Sequence, residues 1–295
     1  MNAWQRWVKA PGTTTFRRIL FQVHLWLGIG LGLYILVISV SGSAVVLRPQ
    51  INNWFINSQV PAMTGEPLLG AELEAAVAAE YPEYTVSNIN VSAREGRAVH
   101  VSLVRDGVES SRYFDHYTGN DLGSTYPWQV ATVEWLTRLH DDLLLDRGTG
   151  RRVNAFGGML LLVMVFSGIL IWWQGKRRLS DGLRFRRVSS HSFIWQLHSF
   201  VGFWSLLLML VWGITAIYFA FPEPFDALVD SLDDDPTDFE RPDAWLRFLV
   251  NLHFGRFRGS WPGLPYIWIV LGLLPAVMYV TGFVLWYRRV LRRYV

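Results

Sequence analysis

The chain has 295 residues, 51% of them hydrophobic, no cysteine and a formal net charge of only +3. So small an excess gives no basis for nucleic-acid binding. The missing thiols exclude disulfides, iron–sulfur clusters, thiolate-ligated haem and covalent haem attachment through C-x-x-C-H, so any metal chemistry must rest on histidine, carboxylate or other oxygen and thioether groups.

The apolar residues gather in four runs, roughly residues 25–47, 153–173, 193–221 and 264–287. Each reaches the about 20 residues needed to cross a ~30 Å hydrocarbon core at ~1.5 Å per residue. Residues 1–59 read as a short lead, broken at Pro11-Gly12, and a first membrane helix. That run is too long for a signal-peptide core and lacks a cleavage site, so it is expected to stay as an anchor. Its Gly28-Ile29-Gly30-Leu31-Gly32 stretch follows no strand and lies inside an apolar helix, so it is not a nucleotide fingerprint.

Residues 60–125 differ in composition. A helix is expected over 71–80 and short strands over 85–91, 98–105 and 111–115, separated by Gly96 and Gly107, with a turn at Thr118-Gly119. One helix on three antiparallel strands makes a small α+β module. Residues 126–192 hold an amphipathic segment over 128–145, a second membrane helix and a basic loop. Residues 193–295 hold the third and fourth membrane helices, joined by a short acidic loop.

Charge sets the orientation. Arg6, Lys9, Arg17 and Arg18 precede the first helix, Lys176 to Arg187 carry six basic residues against Asp181, and Arg288, Arg289, Arg292 and Arg293 end the chain. Every other acidic residue lies in the two remaining intervals. The positive-inside rule then puts both termini in the cytoplasm, with the module and acidic loop outside. Trp26, Trp172, Trp173 and Trp286 fall at the boundaries where amphipathic rings settle.

Two motifs recur. Phe21-Gln22-Val23-His24 with Gly28 returns as Trp195-Gln196-Leu197-His198 with Gly202. Leu136-x-x-Leu139-His140, leading to Ser167-Gly168-x-x-x-Trp172, returns as Leu249-x-x-Leu252-His253, leading to Thr281-Gly282-x-x-x-Trp286. The chain is thus read as two copies of one membrane unit, the α+β module being inserted into the first copy only. Copies of like orientation are related by a pseudo-twofold axis along the membrane normal. That axis sets His24 opposite His198 on the cytoplasmic side and His140 opposite His253 outside.

One histidine at a membrane boundary is an ordinary polar anchor; four in register in a duplicated unit suit ligands. A planar iron porphyrin on the axis needs one imidazole on each face, so two pairs accommodate two non-covalent, bis-histidine haem b groups. Zinc would need further carboxylates, which Asp141, Asp142 or the acidic loop could supply outside but nothing near His24 or His198 supplies inside. His100, His116 and His191 do not recur and are left out. Arg151, Arg152, Arg256 and Arg258 are candidates for propionate pairing or for interface anchoring.

Together these residues, His24 with Gly28 and Ser41-Gly42, Leu139-His140, Ser167-Gly168 to Trp172-Trp173, His198 with Gly202, and Leu252-His253 with Thr281-Gly282 to Trp286, carry a resemblance over nearly the whole chain. The chain resembles the PepSY-associated transmembrane helix family, iron-regulated inner-membrane proteins that include ferric-siderophore reductases of the FoxB type. The module is similar to a PepSY domain through Phe114-Asp115-x-x-Thr118-Gly119. The resemblance implies two b-type haems passing electrons outward, so that a ferric siderophore is reduced and its iron released in the periplasm. The chain departs from larger members in its short second external loop, 221–265, and its single PepSY-like module, which leaves the substrate open.

The expected fold class is an all-α bundle of four transmembrane helices, a tandem 2+2 parallel repeat, with a PepSY-like α+β domain inserted between helices one and two. The expected function is a membrane oxidoreductase acting on a periplasmic ferric siderophore or other ferric chelate, with a cytoplasmic or quinol electron donor and membrane lipid as its surroundings. The alternative is a membrane-anchored binding or regulatory module acting on a periplasmic peptidase, against which the repeated histidines argue, since an anchor needs none.

Overall fold

The computed structural model describes residues 15–56, 58, 60, 65–91, 96–173, 190–231, 242–257, 259 and 261–290, without the side chains of 190–192, 242 and 243. The expectations placed on Arg6, Lys9, Pro11-Gly12, the basic loop after residue 173, most of the acidic loop, the His191 side chain, Arg258, Arg292 and Arg293 lie outside these described residues. In chain order the elements are α1 (Thr15–Val45), α2 (Arg48–Phe55), α3 (Ala71–Glu80), β1 (Thr85–Asn90), β2 (Val99–Arg105), β3 (Val108–Phe114), β4 (Asp121–Ser124), α4 (Trp128–Asp142), α5 (Arg147–Trp172), α6 (Ser190–Trp204), α7 (Leu206–Ala220), α8 (Glu223–Ser231), α9 (Pro242–Phe254), α10 (Leu264–Gly272) and α11 (Leu274–Arg289). The chain divides into two units, Met1–Val46 with Leu136–Val295, and Leu47–Trp135.

In the larger unit, long stretches nearly free of charge make α1, α5 and the α10–α11 run over Leu264–Arg289 long and apolar enough to cross a membrane. The α6–α7 pair makes a fourth such span if its two bent parts are counted as one. The third apolar run is bent, since α6 and α7 meet at 61°. The break falls at Ser205, fully buried, with φ −90° and ψ −2° where a regular helix keeps ψ near −42°. Its hydroxyl donates to the Val201 carbonyl at 2.7 Å, a bond that lets a polar group sit in an apolar helix and favours bending there. Gly202 stands one turn earlier, but an apolar run reports affinity for lipid without reporting backbone direction.

α1 packs on α5, α10 and α11, α6 packs on α11, and α7 packs on α5 and α9. Small residues permit this closeness: a Cβ at Gly158 of α5 would lie 2.8 Å from the Gly213 carbonyl oxygen of α7. Asp146 caps α5, accepting from the Thr149 amide at 3.0 Å.

The smaller unit is built on an antiparallel sheet of order β1-β2-β3-β4. Strict alternation in β2 sends Val99, Val101 and Leu103 to one face, where they meet Leu73 and Val77 of α3 and Phe114 of β3, all essentially inaccessible. Each such side chain contributes about 1.5–3 kcal/mol on burial. β2 and β3 are joined by Asp106-Gly107, both at positive φ (53° and 77°), which matches the two-residue turn that Asp-Gly favours. β3 therefore starts at Val108 and not near 111.

The three-strand expectation is also corrected, since β4 pairs with β3 as a fourth strand. Asp121-Leu122-Gly123-Ser124 has neither alternation nor β-branched residues, so its pattern is silent. Polar side chains secure it instead. Asp121 accepts from Arg112 Nε at 2.8 Å and from the Tyr81 hydroxyl at 2.5 Å. Burial alone would raise the Asp121 pKa, but the hydrogen bonds from Arg112, Tyr81 and the Gly123 amide hold it below the usual carboxylate range. Burial, then the bond to Asp121, push the Tyr81 phenol up to about 12.

Candidate functional site

The four histidines all belong to the larger unit, and each is placed by a helix whose neighbour presents a hydroxyl. His24 on α1 has Nδ1 2.8 Å from Ser167 Oγ on α5. His198 on α6 has Nδ1 2.9 Å from Thr281 Oγ1 on α11. His253 at the end of α9 has Nδ1 2.5 Å from Thr215 Oγ1 on α7. His140 near the end of α4 has Nδ1 3.0 Å from the Ile38 carbonyl and 3.5 Å from Ser41 Oγ, both on α1.

The surroundings repeat as well. A Cβ at Gly168 would lie 3.3 Å from His24 Cε1, and one at Gly282 would lie 3.3 Å from His198 Cε1. Gly28 faces the Met164 methyl and Gly202 the Met278 methyl in the same way. The glycines beside the hydroxyl residues thus leave the room that an imidazole fills.

At the other end of the helices, the ring centroids of His140 and His253 are 6.4 Å apart with planes at 63°. Both helix ends are tied down through their carbonyls. Asn154 of α5 donates to the His140 and Asp141 carbonyls at 2.8 and 2.7 Å, and the indoles of Trp212 and Trp268 donate to the His253 carbonyl at 3.3 and 3.2 Å. α4 and α9 lie outside the apolar spans. Removal from water pushes the pKa of His140 down, and that of His253 down with a further contribution from the neighbouring His140. Both rings are therefore neutral at ordinary pH, the form that ligates metals.

His24 and His198 line one cavity of about 730 Å³, walled by Leu, Ile, Val and Met side chains. Its size falls within the range of about 300–1,000 Å³ usual for small-molecule and cofactor sites. Arg17, Arg18 and Arg289 stand on the same cavity. The Arg17 Nη2 donates to the Ile171 carbonyl at 2.8 Å, while its buried Nε has no partner among the described residues. The Arg289 guanidinium lies 4.4 Å from the centroid of the Phe21 ring.

These arginines were legible as topology markers but not as cavity residues. The signal was available, since Arg17, Phe21, His24 and Gly28 follow one another at spacings of four, three and four, a single helical face. Of the arginines singled out in the sequence, Arg151, Arg152 and Arg256 do not line this cavity. Arg151 lies 3.8 Å from Asp142 and 3.5 Å from the Phe219 carbonyl, Arg256 covers the Phe254 ring at 5.0 Å, and Arg152 is exposed. In the smaller unit His100 meets the Tyr113 ring edge-on at 5.9 Å, and His116 lies tilted against Tyr117 at 4.3 Å.

The donor set restricts what can bind. Among the described residues no three of His, Asp and Glu gather into a metal-ligating group. Among the described residues a tetrahedral zinc site is short of ligands. A haem iron would take two imidazoles from the protein, and His140 and His253, with ring centroids 6.4 Å apart, are close enough to share one such group.

Fold and site together define a multi-pass membrane protein with a small antiparallel sheet region and four histidines, two on one cavity and two with ring centroids 6.4 Å apart. The family model for the PepSY-associated TM region matches residues 21–244 and 229–289, and the chain belongs to that family. No curated protein matches the chain.

Proposed function

We propose that this protein is a di-haem b oxidoreductase of the bacterial inner membrane, with both termini cytoplasmic, that passes electrons outward to a ferric siderophore or other ferric chelate. The four spans are read as two parallel copies of a two-helix unit. In support, α1 lies on α5 as α6 lies on α11, and α1 lies on α11 as α7 lies on α5. The observation that carries the reading is the paired histidine geometry: two imidazoles on one cavity at the basic end and two imidazoles 6.4 Å apart at the other, with no cluster of three metal-ligating side chains among the described residues.

Haem, when bound, would supply a one-electron couple. His24 and His198 would hold the cytoplasmic-side iron, and His140 and His253 the external one. Arg17 and Arg289 place positive charge at the cytoplasmic mouth of the cavity, where they suit propionate carboxylates. The apolar walls exclude water and so strengthen those charge interactions. Along α1, His24 and Ser41, which touches His140, are separated by roughly 25 Å at 1.5 Å per residue, so the two pairs lie near opposite faces of the bilayer core.

The test is direct. The full chain purified in detergent from haem-replete cells should carry two haems by pyridine haemochrome assay, show a Soret band that shifts on dithionite, and be reoxidised by a ferric chelate. A colourless preparation rejects the proposal, and haem that ferric chelates fail to reoxidise rejects its substrate.

A further inference from the structure

A serine or threonine hydroxyl has one hydrogen to donate and two lone pairs to offer. At all four histidines that hydrogen is already used within the hydroxyl's own helix. Ser167 donates to the Met164 carbonyl at 3.0 Å, Thr281 to Val277 at 2.7 Å, Thr215 to Val211 at 2.7 Å and Ser41 to Val37 at 2.7 Å. With its hydrogen on that carbonyl, which can only accept, each oxygen is left to accept from the imidazole. His140 reaches the same state by a second route, since the Ile38 carbonyl has no hydrogen to give.

We propose that Ser167, Thr215 and Thr281, with the Ile38 carbonyl at His140, are the positioning groups that hold the four imidazoles in the Nδ1–H tautomer and so keep every Nε2 lone pair free for a metal bond. Only the identity of the metal group rests on the haem reading above; the tautomer follows from the hydrogen-bond geometry alone. A ring whose other nitrogen is held this way is fixed in orientation and made more basic, and loss of such an outer partner costs about 10–100-fold in metal affinity.

The four positions are not equivalent. Among the described residues Thr215 is the side chain that meets His253 Nδ1, at 2.5 Å, whereas His140 keeps the Ile38 carbonyl if Ser41 is removed. Thr215→Val should therefore weaken haem binding at the external pair by about 10–100-fold. Thr215→Ser should restore it, and Ser41→Ala should leave it within about twofold of the parent, since the Ile38 carbonyl still accepts and no full outer-partner loss occurs.

Two measurements decide the matter. Ring ¹⁵N spectra of the full-length, histidine-labelled chain prepared without haem, assigned by single histidine substitutions, should show Nδ1 protonated and Nε2 bare at all four positions. A protonated Nε2 at any of them overturns the proposal. Haem titrations followed at the Soret band should then rank parent, Thr215→Ser and Ser41→Ala together and Thr215→Val well below them. Equal affinity in Thr215→Val overturns the proposal while leaving the haem reading intact. Nδ1–H rings in a chain that takes up no haem sink the haem reading and leave the tautomer assignment standing.

Discussion

His140 and His253, on helices far apart in sequence, bring their ring centroids to 6.4 Å at an interplanar angle of 63°. Neither ring is held mainly by its own helix. α1 receives the His140 Nδ1 and α7 receives that of His253, so the spacing between the imidazoles is set by the packing of the membrane helices.

Loss of one ring should therefore cost one centre and spare the other. His140→Ala or His253→Ala is expected to remove the external haem and halve the haem content, and His24→Ala or His198→Ala to remove the cytoplasmic-side haem. Low-temperature optical spectra and redox titration separate the two centres. Loss of a different centre by the two members of a pair contradicts the pairing.

Gly168 and Gly282 face the His24 and His198 rings at the distance where an added methyl is already tight. Gly168→Leu should push the His24 ring aside and abolish the cytoplasmic-side centre, with Gly168→Ala giving a partial loss. The external spectrum should be unchanged in both, and this is checked by haem content and by the same redox titration.

Arg17 and Arg289 supply positive charge to the cavity that holds His24 and His198. Removing one charge-assisted contact costs about 1.5–3 kcal/mol, or roughly 10–150-fold in binding. Arg17→Gln and Arg289→Gln should weaken haem retention at that pair and lower its midpoint potential, because a cation stabilises the reduced, more negative centre. Titration of the external centre serves as the control and should not move.

In the smaller unit Asp121 anchors β4 through Arg112 and Tyr81. Its carboxyl is held below the usual range when folded. The stability it adds is present above the unfolded-state pKa near 3.9 and is lost as pH falls through the lower folded value. Asp121→Asn should remove about 1–3 kcal/mol at neutral pH. Hydrogen exchange at the β3 and β4 amides of the full chain should show the loss, and the difference between variant and parent should shrink on acidification.

Much of the fold was legible because its causes are local. The helix over Ala71–Glu80 needs only its composition, and β2 needs only alternation. β4 was not legible, since an Arg112–Asp121–Tyr81 cluster holds it where the strand pattern says nothing. The recurring Ser167-Gly168 and Thr281-Gly282 pairs were plain in the sequence while their role was not. Each hydroxyl meets an imidazole on another helix, across 143 residues for His24 and Ser167 and 83 for His198 and Thr281.

From the sequence alone came the apolar runs, the bias of basic residues between loops and the recurrence of histidine beside glycine, because lipid solvation, the positive-inside rule and duplication act on composition and spacing. Only the tertiary structure decided the 61° turn at Ser205, the hydroxyl that meets each imidazole and the arginines that share the cavity with His24 and His198. These depend on the direction in which helices cross and the depth at which they touch, and such quantities arise from side-chain packing between segments that no local pattern relates.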